Sequence, residues 1–211
     1  DYTTYKSSQE EKHIDFAARY SHVLGDLDLG LIYFNGTNRE VSYNKITVGN
    51  EEVLAPHYNQ VQIVGGDFQL TKEDFLWKFE ATHTKPKSNS GYFSQVGGFE
   101  YTFVGVGESS GDLGLFMEYQ YDDRDYAFGQ NDLAIGTRFT LNDAQSSEFL
   151  AAITQDLDNK TKFISLEASR RLTDTWSIES ELRIFTSVNS EDSLYDLRDD
   201  DYLQIVFKRY F

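Results

Sequence analysis

The chain has 211 residues, a formal net charge of −16 and a mean hydropathy of −0.53, with no cysteine and two prolines. No run of about 20 consecutive apolar residues exists, which excludes a helical membrane protein, whereas a β-barrel strand needs only about 9–11 residues with every second one apolar and is compatible with a polar average. The acidic balance and the lack of a basic patch exclude nucleic acid as a partner.

Absence of cysteine suits a sheet protein exported through an oxidising compartment. The opening Asp1-Tyr2-Thr3-Thr4-Tyr5 has neither the basic start nor the apolar segment of a signal peptide, so the chain is expected to be mature or part of a longer one. Its 14 Tyr and 16 Phe fit the aromatic girdles of a membrane barrel, the alternative being an aromatic-rich soluble sandwich.

Period-two alternation predicts strands over 13–24, 26–36, 58–71, 74–85, 91–105, 112–122, 131–141, 147–156, 162–172, 175–187 and 201–211, with 1–6 as one more. The connections alternate as well. Gly25-Asp26, Thr71 to Asp74, Val106 to Gly111, Asn142 to Ser146 and Thr173-Asp174 are short. Asn35 to His57, Thr84 to Ser90, Asp122 to Gln130, Leu157 to Thr161 and Ser187 to Asp200 tend to be longer. Short turns at one end and long loops at the other characterise outer-membrane barrels. The expected fold is an all-β, antiparallel, up-and-down transmembrane barrel of about twelve strands, forming one domain over 1–211.

Side chains alternate along a strand, so each strand has two faces. One reads Leu113, Leu115, Met117, Tyr119; Leu133, Ile135, Phe139; Ile164, Leu166, Ala168; Trp176, Ile178, Leu182, Ile184. The other carries Lys78, Glu80, Glu100, Glu118, Arg138, Glu167, Arg171, Glu179, Glu181 and Arg183, which are the expected pore-lining residues. Segment 147–156 has no clean parity, because Phe149, Leu150, Ala151, Ala152 and Ile153 are all apolar. Alternation alone fits a soluble sandwich with its apolar face inside. Strand length, loop alternation and the chain end favour apolar-out.

The last strand sets Leu203, Ile205, Phe207 and Arg209 on one side and stops on Phe211. It resembles the final strand of Gram-negative outer-membrane barrels. That resemblance implies that Leu203, Ile205, Phe207 and Phe211 are read by the barrel-assembly machinery. Arg209 departs from the pattern, which usually has an aromatic there. The segments Tyr58 to Leu70, Phe75 to Ala81, Val96 to Phe103, Glu118 to Arg124, Ala168 to Leu172 and Leu194 to Tyr202 are similar to an uncharacterised family of proteobacterial outer-membrane, porin-like proteins. The similarity covers about 58–211 and carries no established activity. Its members are usually longer at the N-terminus, which implies that this chain is the C-terminal part of a larger barrel.

An outer-membrane lipid-modifying enzyme is the catalytic alternative, and it needs a nucleophile within reach of a base. The contexts of His13, His22, His57 and His83 do not reproduce such an arrangement, and no catalytic residue is assigned. Calcium takes six to eight oxygens, so Asp122, Asp123 and Asp125 in one loop, and Asp199 and Asp200 in another, are weak metal candidates. They lack the Asp-x-Asp-x-Asp-Gly ladder of an EF-hand, and a solvated acidic loop is the simpler reading, with loose divalent bridging to lipopolysaccharide phosphates as its functional version. No cofactor is expected. Inward acids outnumber inward bases about two to one, so an open lumen would favour cations. The expected function is a porin-like channel for small polar or cationic solutes in the bacterial outer membrane. The alternative is a closed structural or partner-binding barrel plugged by its own ion pairs, with an envelope protein or a second copy as its partner.

Overall fold

The computed structural model describes residues 2–87, 90–124 and 126–211. The chain is all-β, with 64% of it in strands and 4% helical. The strands are β1 (Thr4–Tyr5), β2 (Phe16–Leu24), β3 (Leu27–Thr37), β4 (Ser42–Val48), β5 (Glu51–Tyr58), β6 (Gln60–Lys72), β7 (Phe75–Pro86), β8 (Tyr92–Phe103), β9 (Asp112–Asp122), β10 (Asn131–Thr140), β11 (Glu148–Asp156), β12 (Lys162–Arg171), β13 (Trp176–Thr186) and β14 (Tyr202–Arg209). Eleven form one antiparallel sheet, ordered β14-β13-β12-β11-β10-β9-β8-β7-β6-β3-β2. Closure of that sheet into a barrel is not found among the described residues.

Contacts divide the chain into two compact units, Asp1–Phe68 with Glu80–Ser94, and Gln69–Phe79 with Gln95–Phe211. In the first, β2 and β3 pair from Phe16↔Asn35 to Leu24↔Leu27 across Gly25-Asp26, with Gly25 at a φ of 62°. The Asn38 N–H donates to the Asn59 carbonyl at 2.7 Å and Gln60 Nε2 to Thr37 Oγ1 at 2.8 Å, fastening the end of β3 to the start of β6.

Two expectations are corrected here. The predicted loop Asn35 to His57 contains a hairpin: β4 and β5 pair antiparallel from Ser42↔His57 to Val48↔Glu51 around Gly49-Asn50. Gly49, at a φ of 65°, allows the reversal. The predicted opening strand 1–6 does not join the eleven. Among the described residues of that segment the strand is Thr4–Tyr5, which pairs parallel with His57 and Tyr58, where the Tyr5 and Tyr58 rings stack at 5.1 Å. The expected twelve strands are therefore eleven in the main sheet, with a separate three-stranded sheet β1-β5-β4.

The second unit shows why these residues make long strands. Its register sets Leu113, Leu115, Met117 and Tyr119 of β9 opposite Phe139, Thr137, Ile135 and Leu133 of β10. The next rows across are Phe149, Ala151 and Ile153, then Ala168, Leu166 and Ile164. Ser180, Leu182 and Ile184 follow on β13, and Ile205 and Leu203 of β14 stand opposite Ser180 and Leu182. Residues directly opposite share a face, so one continuous apolar face spans β9–β14. The ambiguous β11 falls into line, with Phe149, Ala151 and Ile153 on that face and Leu150 and Ala152 on the other.

This face is not packed into a core. Leu115, Ile135 and Phe207 are 44%, 50% and 60% exposed, and among the described residues the buried hydrophobic side chains are Ala55, Val61 and Ala127. A soluble monomer rarely leaves a contiguous apolar patch beyond a few hundred Å².

Candidate functional site

Every acid of β9–β14 lies on the opposite face: Asp112, Glu118, Asp122, Asp132, Glu148, Asp156, Glu167, Glu179 and Glu181. Arg138, Arg171, Arg183 and Lys208 share it. The strand register thus gathers Glu118, Arg138, Glu167, Arg171, Glu179, Glu181 and Arg183 onto one polar surface. Lys78 and Glu100 join Glu118 and Arg138 around a recess of about 140 Å³. Glu80, the remaining expected pore residue, belongs to the first unit.

A larger recess of about 330 Å³ is lined by Arg138, Glu148, Glu167, Glu179 and Glu181 together with Gln204. Its charges are partly compensated. Arg183 Nη2 lies 2.5 Å from Glu167 Oε1 and 3.2 Å from Glu181 Oε1, and Lys208 Nζ is 2.5 Å from Glu179 Oε1. The Tyr202 hydroxyl donates to Glu181. Arg138 Nε stands off from Glu100 Oε1 at 3.8 Å, beyond a hydrogen bond. Arg171 donates to the Ala144 carbonyl at the turn end of the sheet. Among the described residues, neither Glu118 nor Glu148 has a salt bridge.

Small residues make room for these groups. A β-carbon on Gly114 would sit 2.5 Å from Glu100 Oε1, so glycine is what lets that carboxylate lie flat against the sheet. In the first unit Gly30 does the same beneath the Arg19–Asp67 pair, which closes to 2.8 Å.

Among the described residues the weak metal candidates are not gathered into one donor set. Arg124 grips Asp122 with Nε at 2.8 Å from Oδ1 and Nη2 at 2.7 Å from Oδ2, and Asp199 stands 3.4 Å from Arg198. The Asp200 N–H donates to the Leu197 carbonyl. Asp123 lies in the β9–β10 connection, and Asp125 lies outside the described residues, as do Ser88 and Asn89 of the loop Thr84 to Ser90. Among the described residues no three carboxylate, imidazole or thiol groups are placed to hold a metal ion. His13 hydrogen-bonds Asp15 at 3.0 Å and His57 bonds Thr4 Oγ1 at 2.8 Å, while the His22 ring stacks on Tyr20.

One grouping had no sequence signal. Asp132 stands directly opposite Asp156, with Asp132 Oδ1 and Asp192 Oδ2 buried and without a hydrogen-bond partner. Asp156 Oδ1 accepts the N–H groups of Asp158 and Asn159 at 2.7 Å, pinning the β11–β12 loop. Aspartates at the ends of strands and in loops meet only once the register is set.

At the chain end, Leu203, Ile205 and Phe207 project from the apolar face and Phe211 is wholly exposed. No protein-family model, no curated protein and no solved structure matches the chain.

Proposed function

We propose that the chain forms the wall of a bacterial outer-membrane β-barrel whose polar face lines a passage for small polar or cationic solutes. One observation carries this reading: in β9–β14 every acid lies on one face, while the other is a continuous, exposed apolar surface. In water that surface would be an aggregation liability. Against lipid it is the required solvent match, since only closed structures satisfy every backbone polar group in a bilayer. The main-sheet strands, 8 to 13 residues long, suit the thickness to be crossed. Outer-membrane barrels of this kind have an even number of strands, so a closed wall needs at least one strand beyond these eleven.

The polar face holds more acids than bases, which favours cations at its surface. A second reading keeps its own observation. The pairs Arg183 with Glu167 and Glu181, and Lys208 with Glu179, are what a closed, charge-plugged barrel would contain. In either case the partners are outer-membrane lipid and lipopolysaccharide, and the assembly machinery acting on Leu203, Ile205, Phe207 and Phe211.

Planar-bilayer recording tests the reading. The refolded chain is expected to require detergent, to migrate more slowly on gels after boiling, and to give steady ohmic current with cation preference. Insertion without current favours the plugged barrel. A monodisperse protein in plain buffer overturns the membrane assignment.

A further inference from the structure

The apolar face of β9–β14 carries charge only near its margins, and all of it is basic: Lys162 at one end of the strands, Arg170 and Arg209 at the other. Arg209 is the residue that breaks the apolar run of the last strand. Its register partner across β13 is Trp176, and its guanidinium carbon lies 5.6 Å from the Trp176 ring and 5.0 Å from the Phe211 ring. Arg170 stands opposite Ile178, which in turn stands opposite Phe207, so both arginines project on the same face near the β12–β13 turn. Among the described residues neither has a salt bridge. Asp143, whose charge feels Arg170, has its oxygens occupied by the Ser147 N–H and hydroxyl, both at 2.8 Å. A recess of about 280 Å³ at the same end of the strands is lined by Arg170, Trp176 and Ile178 of the apolar face and by Arg171, Ser177 and Glu179 of the polar one, and Arg209 is not among its lining residues. Glu179 is already held by Lys208.

From this geometry we infer that Arg170 and Arg209 form a headgroup site for an anionic phospholipid, with its acyl chains along the apolar face. The inference rests on the membrane reading. Two cations without a salt bridge at one margin of an apolar face need an anion where hydrocarbon gives way to headgroups, and a lipid phosphate supplies it without leaving that boundary. Trp176 provides an amphipathic ring at the same level and holds the Arg209 guanidinium by a cation–π contact. A guanidinium fork matches two phosphate oxygens at once. The shared chemistry with free phosphate is plain, but the apolar surface running directly from the site selects a molecule with acyl chains.

The full chain carrying Trp77→Phe leaves Trp176 as the sole tryptophan. It is inserted into neutral phosphatidylcholine vesicles containing a small fraction of brominated phosphatidylglycerol or, separately, brominated phosphatidylcholine. Quenching of Trp176 is expected to be stronger with the anionic lipid, with an enrichment of about fivefold per arginine at low salt. Arg170→Gln and Arg209→Gln should each lose their share and together lose all preference, whereas Arg170→Lys with Arg209→Lys should keep most of it. Equal quenching by both lipids overturns the site. Loss of the preference on adding glycerophosphate overturns it in favour of a soluble phosphate ligand. Quenching by neither lipid shows that the chain is not inserted, and sinks the membrane reading with it.

Discussion

Gly136 faces Phe116 across β9 and β10, and the phenyl Cζ lies 2.2 Å from where a β-carbon on Gly136 would stand, with the Ala151 carbonyl oxygen 2.6 Å away. The ring fills the space above the glycine, on the same face as the acids. A bulky polar-face side chain and a glycine on the neighbouring strand beneath it thus act as one unit, as Glu100 does over Gly114.

Gly136→Val must displace both the ring and a backbone carbonyl. Overpacking of this kind costs about 1–3 kcal/mol. The expected result is a lower urea midpoint for the refolded protein in lipid vesicles. Adding Phe116→Ala should recover only part of the loss, because the Ala151 carbonyl stays in place. A variant as stable as the parent would show that the strands are further apart than this register requires.

Leu115 separates lipid from water as the solvent of the apolar face. In water, Leu115→Arg at a site already 44% exposed should fall within about 0.5 kcal/mol, as surface changes do. In a bilayer the same change should cost about 2–4 kcal/mol near the midplane. The vesicle-folded fraction of the variant on unboiled gels is expected to fall sharply while its far-ultraviolet circular dichroism in detergent stays β-type. Unimpaired insertion would place Leu115 away from lipid.

Asp143, in the turn between β10 and β11, has its carboxyl held below the ordinary value of 3.8, first because it accepts the Ser147 backbone N–H. A lowered folded-state pKa gives stability that is present above 3.8 and is lost as pH falls through the lower folded value. The Ser147 amide shift, followed by nuclear magnetic resonance in detergent, should therefore titrate with a midpoint below 3.8, and Asp143→Asn should abolish that titration. A midpoint at or above 3.8 would remove the proposed hold on the turn.

Alternation made most of the main sheet legible, because a strand with one apolar side states its period and parity residue by residue, as 112–122 and 175–187 do. It failed where both faces are apolar. Leu150 sits among Arg138 and Glu167, its register partners on β10 and β12, and only those neighbours reveal that it belongs to the polar face. The hairpin β4–β5 is hard to read from alternation, which is weak in both strands, although Gly49-Asn50 is a hairpin dipeptide. Which charges pair was not legible at all. Arg183 reaches Glu167 on the neighbouring strand and Glu181 on its own, and the choice depends on rotamers and register rather than on residue type.

Those pairs make selectivity and stability separable. Glu118 has no salt bridge among the described residues, so Glu118→Gln removes a charge and breaks no ion pair. Cation preference should fall with little change in stability. Arg183→Gln does the reverse. It leaves Glu167 and Glu181 uncompensated, which should raise cation preference, and it should cost about 1 kcal/mol, the upper range for partly exposed pairs. Replacing Glu118, Glu179 and Glu181 together by Gln should move the reversal potential in a salt gradient toward zero. All three effects should be large at about 0.1 M salt, where the Debye length is about 10 Å, and fade near 1 M, where it is about 3 Å. Reversal potentials that ignore Arg183 and the three glutamates alike would mean that permeating ions do not pass along this face.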